Sequence, residues 1–104
     1  MSRKTSISRS EIEKMWEAGQ TIELIDVRSN AEFQENHIPD AININIEDIE
    51  SGKFSHSSRD SLLVTVCGKG GGRSERAATY LRENGGYDAC FLEGGTFEWN
   101  KVHG

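Results

Sequence analysis

The chain has 104 residues, which is enough for one compact domain with one hydrophobic core, and we expect that domain to span residues 1–104. Its 17 acidic and 12 basic residues give a formal net charge of −5, which argues against a nucleic-acid-binding surface. The sequence has neither a signal-peptide pattern nor an apolar run of membrane-spanning length, so we expect a cytoplasmic protein that does not bind membranes. The scattered histidines and cysteines predict no metal site and no cofactor, and we expect a monomer.

Two serine–glutamate pairs predict the starts of two short helices. Ser10 and Glu13 have the spacing of a capping box, which favours a first helix that ends near Gly19. Ser29 and Glu32 repeat that spacing, which predicts a second helix over residues 31–36 with its aromatic side chain buried.

Short strands and helices alternate along the rest of the chain. The apolar, partly β-branched runs predict strands over residues 21–27, 41–44, 62–66 and 87–92. The helical patterns predict helices or helical turns over residues 46–51, 74–84 and 97–102, with an exposed loop over residues 52–60. This alternation indicates an α/β domain with a mostly parallel sheet, in which ligands bind beyond the carboxyl ends of the strands.

A cysteine followed by a glycine-rich basic loop lies at such a strand end. Cys67 directly follows the apolar strand, and the residues after it are Gly68, Lys69, Gly70, Gly71, Gly72 and Arg73. Glycines allow backbone N–H groups to converge on an anion at a helix N-terminus, and the two basic side chains add positive charge. These features favour the thiolate, so Cys67 is the candidate catalytic nucleophile and the loop the candidate substrate-binding segment. Cys90 has no such setting and is expected in the core.

Three ordered segments resemble the rhodanese family, and the resemblance covers nearly the whole chain. The first contains residues 25–28 with Glu32, Phe33, His37, Ile38, Pro39 and Ala41; the second contains Val66, Cys67, the loop, Arg73 and Ser74; the third contains residues 92–95 and Trp99. The resemblance implies a five-stranded parallel sheet flanked by helices, and a Cys67 that takes the sulfane sulfur of thiosulfate or a similar small anionic donor. The acceptor would be a thiol, cyanide or a protein.

The same resemblance implies structural rather than catalytic roles for several polar residues. We expect Asp26 and Arg28 to form a buried charge pair, His37 to be a hydrogen-bonding turn residue, and Ser74 to support the loop. Asp40 stands where the family often has glycine, and we expect it to adopt the left-handed backbone conformation. His56 and His103 are expected at the surface.

Two other functions are compatible with the sequence. The cysteine and Arg73 are separated by five residues, one more than in many single-domain rhodaneses, and the segment fits the C-x-x-G-x-x-R-[ST] pattern of cysteine-dependent phosphatases. A phosphatase or arsenate reductase on the same fold is therefore one alternative. A non-catalytic rhodanese-like interaction module is the other. The retained cysteine and its loop favour sulfur transfer.

Overall fold

The computed structural model describes residues 5–52, 54, 61–69 and 72–102, and these residues form an α/β fold. Five strands make one sheet in which every pairing is parallel, in the order β1-β5-β4-β2-β3. The strands are β1 (Ser6–Ile7), β2 (Ile22–Asp26), β3 (Ile42–Asn43), β4 (Leu62–Val66) and β5 (Asp88–Leu92). The expected α/β class and five-stranded parallel sheet are confirmed. The sequence patterns predicted four of these strands and missed β1.

Helices cover both faces of the sheet. They are α1 (Arg9–Glu17), α2 (Asn30–Glu35), α3 (Ile46–Glu50), α4 (Arg73–Gly85) and α5 (Gly95–Val102). One core cluster includes Ile12 of α1 and Trp99 of α5, and the other includes Ile49 of α3 and Leu81 of α4. Burial on both faces explains why β4 is an apolar run rather than an alternating one. None of the helices in the described part of the chain has both the length and the apolar content to cross a membrane.

The start of α1 differs from the sequence prediction. Its N-cap is Ser8, whose hydroxyl accepts from the Glu11 N–H while the Glu11 carboxylate accepts from the Ser8 N–H. The predicted capping box at Ser10 and Glu13 is therefore wrong. Both pairs have the same spacing, but β1 ends at Ile7, so the chain enters the helix two residues earlier than the pattern alone suggested.

The second capping box and the turn after it follow the sequence more closely. Ser29 and Glu32 form the predicted box at the start of α2. Phe33 is only half-buried, which corrects the expectation of a buried side chain: it packs against the core cluster from outside and stacks on the exposed His37 ring with 3.9 Å between centroids. His37 is a hydrogen-bonding turn residue, with Nδ1 2.9 Å from the Phe33 carbonyl oxygen. Asp40 has a φ of 71°, the left-handed conformation that was expected.

The centre of the sheet sets the position of the cysteine loop. β4 has the bounds that the sequence predicted, and it lies between β2 and β5. Cys67 therefore emerges at the middle of the carboxyl edge, where parallel sheets bind their ligands. Most of the predicted exposed loop over residues 52–60, with His56, lies outside the described residues, as do Gly70, Gly71 and His103.

Candidate active site at the end of the central strand

Cys67 lies between the end of β4 and the first turn of α4. Its side chain is buried, with 6% exposure, and its Sγ is 3.1 Å from the Ser74 Oγ. Gly72 makes the turn into the helix with φ 45° and ψ −107°, a conformation that favours glycine. The sulfur is therefore next to the N-terminal turn of a 13-residue helix, whose dipole stabilises an anion there.

A second contact fixes the first turn of α4 against the strand. The Thr65 hydroxyl, fully buried in β4, donates to the Ser74 carbonyl oxygen at 2.7 Å. Ser74 is itself fully buried, so its hydroxyl is held where it meets the sulfur. Sequence reasoning assigned Ser74 a supporting role and missed Thr65, because a threonine within an apolar strand looks like an ordinary β-branched residue.

Replacing Ser74 with alanine is expected to weaken the nucleophile. A hydroxyl that donates to a thiolate is worth about 1.5–3 kcal/mol, less where the anion has other donors. Its loss should move the midpoint of Cys67 alkylation by iodoacetamide to higher pH, by about one unit. Alkylation of the Cys67 peptide is measured by mass spectrometry across a pH series. An unchanged midpoint would show that the hydroxyl does not stabilise the thiolate.

The start of α5 holds the backbone of the cysteine loop. The Thr96 N–H donates to the Cys67 carbonyl oxygen at 2.9 Å, and the Phe97 N–H donates to the Gly68 carbonyl oxygen at 2.9 Å. Gly95 has a φ of +58°, and a Cβ built on it would lie 2.2 Å from the Cys67 carbonyl oxygen. Only a glycine therefore fits between α5 and the loop. The sequence placed Gly95 in the third motif but did not show which segment it approaches.

Asp26 and Arg28 form the buried ion pair expected at the end of β2. The Arg28 guanidinium donates to both Asp26 carboxylate oxygens at 2.8–3.2 Å, and its Nη2 also donates to the Asn36 carbonyl oxygen at 2.7 Å. The hydrogen bonds that Arg28 donates to Asp26 raise the pKa of Arg28 more than burial lowers it. The Val27 N–H, between these two residues, donates to the Val66 carbonyl oxygen. This hydrogen bond connects the segment that carries the ion pair to the end of β4, directly before Cys67.

The two basic residues of the loop have different surroundings. Lys69 is exposed. The Arg73 guanidinium instead faces the Glu32 carboxylate, with Nη1–Oε1 2.9 Å and Nη2–Oε2 3.2 Å. This hydrogen-bonded pair is the main reason that the pKa of Glu32 falls to about 2. Sequence reasoning treated Glu32 as a helix-capping residue and as part of the first rhodanese-like segment, and it missed this contact.

The structure thus brings part of the predicted site together. Cys67, Gly68, Gly72 and Ser74 meet at the strand end, whereas the described contacts of Arg73 lead toward α2. Within the described ranges, no three His, Cys, Asp or Glu side chains cluster as a metal site would require.

Comparison with known proteins agrees with this geometry. Residues 8–102 match the family model of the rhodanese-like domain. The chain is 32% identical to a thiosulfate sulfurtransferase GlpE of Shewanella oneidensis, over 99% of both chains, and 34% identical to a putative sulfurtransferase YtwF of Bacillus subtilis, over 89% of this chain and 87% of that one. The human single-domain sulfurtransferase TSTD1 has a similar structure, with a TM-score of 0.79 at 27% identity over 95% of this chain and 97% of that one. The chain therefore belongs to the rhodanese-like domain family.

Proposed function

We propose that this protein is a sulfurtransferase that takes the outer sulfur of thiosulfate, or of a similar small anion, onto Cys67 as a persulfide. The observation that carries the proposal is the position of the Cys67 Sγ, 3.1 Å from the Ser74 hydroxyl in the first turn of α4. A hydroxyl donor and a helix N-terminus both favour an anionic sulfur at that point. The names of the relatives support the same reaction class.

In the first half-reaction, the Cys67 thiolate attacks the outer sulfur of thiosulfate. A new sulfur–sulfur bond forms on the cysteine, the sulfur–sulfur bond within the donor breaks, and sulfite leaves with the bonding electron pair. The terminal sulfur of the persulfide carries the negative charge. In the second half-reaction, a thiolate or cyanide attacks that terminal sulfur, and the Cys67 thiolate is the leaving group. No net oxidant or reductant is consumed.

The chain's own residues would act mainly by positioning and charge. The amides of the loop from Gly68 to Gly72 would bind the terminal sulfur, with hydrogen bonds about twice as strong as neutral ones. The exposed side chain of Lys69 would attract the sulfonate end of the donor. The hydrogen bonds from α5 engage the Cys67 and Gly68 carbonyls, which would keep these acceptors from turning toward a bound anion.

Mass spectrometry tests the proposed intermediate. After treatment with thiosulfate, the peptide that contains Cys67 is expected to gain one sulfur atom, and cyanide or a reductant should remove it. The peptide that contains Cys90 serves as the internal control and should gain none, since that thiol lies in the other core cluster, away from the loop. A sulfur adduct on Cys90 alone, or on neither peptide, would contradict the proposal.

The five-residue separation of Cys67 and Arg73 supports phosphatase or arsenate reductase activity as a second candidate. Such an enzyme needs the arginine fork to hold a tetrahedral oxyanion, and here that fork faces Glu32. Hydrolysis of an aryl phosphate and reduction of arsenate, assayed on the same preparation as sulfite release, separate the two functions. A phosphatase would form a phosphocysteine with phosphoryl substrates, and a non-catalytic module would form neither adduct.

A further inference from the structure

Glu32 and Arg73 form a specific, well-aligned ion pair at the surface. The Arg73 Nη1 donates to the Glu32 Oε1 and the Nη2 donates to the Oε2, so the pair is bidentate. The Arg73 side chain is 43% exposed and the Glu32 side chain 41% exposed, which places the pair at the surface beside the loop. The hydrogen bond to Glu32 raises the pKa of Arg73, and the negative charge of Cys67 makes a smaller contribution in the same direction.

Glu32 is held in place from its other side. Its Oε1 accepts from the Ser29 N–H at 3.0 Å and from the Ser29 hydroxyl at 3.1 Å, which are contacts of the α2 capping box. The carboxylate is thus fixed before Arg73 reaches it, and less conformational entropy is lost when the pair forms. With its pKa near 2, Glu32 is ionised throughout the pH range in which a cysteine nucleophile works.

From this geometry we propose that Glu32 sets the oxyanion affinity of the Cys67 loop by competing with the bound anion for Arg73. The inference rests on the proposed function insofar as the physiological donor is an anion. The Glu32 carboxylate already neutralises the charge of Arg73. An oxyanion that binds to Arg73 must therefore displace this carboxylate, and its binding free energy includes only the difference between the two interactions. The exposed side chain of Lys69 and the N-terminal turn of α4 then supply most of the attraction.

Weak oxyanion binding suits the proposed reaction. Sulfite, the first product, is itself an oxyanion and has to leave before the acceptor can reach the persulfide. An interaction that holds donor and product equally tightly does not accelerate chemistry, and it slows release. Inorganic phosphate and sulfate would also occupy a loop with an unpaired arginine. Glu32 would thus make the loop selective for the reactive sulfur rather than for the oxygens of the donor.

The test uses Glu32→Gln, because glutamine retains the capping box while removing the charge. The probe is sulfate, and the readout is its protection of Cys67 from iodoacetamide, followed by mass spectrometry of the Cys67 peptide. The dissociation constant for sulfate is expected to fall roughly two- to five-fold, the range of an exposed ion pair. Glu50→Gln is the matched control: it breaks the similar bidentate pair with Arg76 one turn along α4 and should leave sulfate protection unchanged.

A second comparison isolates Arg73. In an Arg73→Ala background, Glu32→Gln should produce no gain in sulfate affinity, because the cation for which carboxylate and anion compete is gone. Unchanged or weaker protection in Glu32→Gln overturns the proposal, as does a gain that persists without Arg73. Sulfate protection needs no sulfur transfer, so this result stands apart from the persulfide measurement. A protein that fails to load sulfur from thiosulfate would refute the proposed function alone.

Discussion

Replacing Cys67 with serine is expected to abolish sulfur transfer while the domain stays folded. Serine is close to cysteine in size, so the buried pocket beside Ser74 remains filled. Its hydroxyl has no accessible anion near neutral pH, and the loss of a nucleophile lowers turnover by about 10⁴-fold or more. Sulfite release from thiosulfate measures the activity, and denaturant unfolding measures the stability.

Cys90→Ser is the matched control for that substitution. Cys90 is equally buried, at 5% exposure, but it belongs to the core cluster that contains Ile12 and Trp99. A hydroxyl in this core is expected to lower the free energy of unfolding by about 1–3 kcal/mol and to spare turnover per folded molecule. If Cys90→Ser abolished turnover and Cys67→Ser did not, the assignment of the nucleophile would be wrong.

Gly95→Ala is expected to displace the active-site loop. The new Cβ would lie 2.2 Å from the Cys67 carbonyl oxygen and 2.8 Å from both the carbonyl carbon and the oxygen of Gly68. These atoms are all backbone, so no side-chain rotation relieves the clash, and either α5 or the loop has to move. We expect a loss of about 2–4 kcal/mol in unfolding free energy. Turnover per folded molecule should fall about 100-fold, as it does when a nucleophile shifts by about 1 Å.

Gly19→Ala controls for the backbone strain in that substitution. Gly19 also has a positive φ, +84°, but no atom lies within 4 Å of the added Cβ. It should cost about 1–2 kcal/mol of stability and leave turnover unchanged. Equal turnover in the two folded variants would show that the contact with α5 does not position the cysteine.

The elements with strong local patterns could be predicted from the sequence, and the weak ones could not. β4 and the buried face of α4 follow from an apolar run and from helical spacing. β1 has only two residues, Ser6 and Ile7, which are too few to show a strand pattern in the sequence. Its pairing with β5 in the folded structure identifies it as a strand. The start of α1 was misplaced for the same reason, since the end of β1 selects Ser8 over Ser10.

Part of the candidate site could likewise be predicted from the sequence, and part of it could not. Cys67 and its glycine loop are contiguous in the sequence, so their chemistry can be predicted from that segment alone. The Arg73–Glu32 contact joins residues 41 positions apart, and Gly95 approaches Cys67 from a different element. Such pairings depend on how the helices are arranged around the sheet. A single sequence shows that Glu32 can cap a helix, but it does not show that its carboxylate also faces the loop.

The positions of the two cysteines determine whether oxidation of this protein can form a disulfide within the domain. Cys90 pairs with Val64 across β5 and β4, and Cys67 lies three residues beyond Val64, roughly 10 Å along the strand direction. The two side chains also belong to core clusters on opposite faces of the sheet. A disulfide requires Cα atoms within about 7 Å, so these thiols cannot form one in the folded domain. A Cys67 sulfenic acid would therefore have no resolving thiol within reach in the folded domain, and an external thiol would have to intercept it to prevent oxidation to the irreversible sulfinic acid.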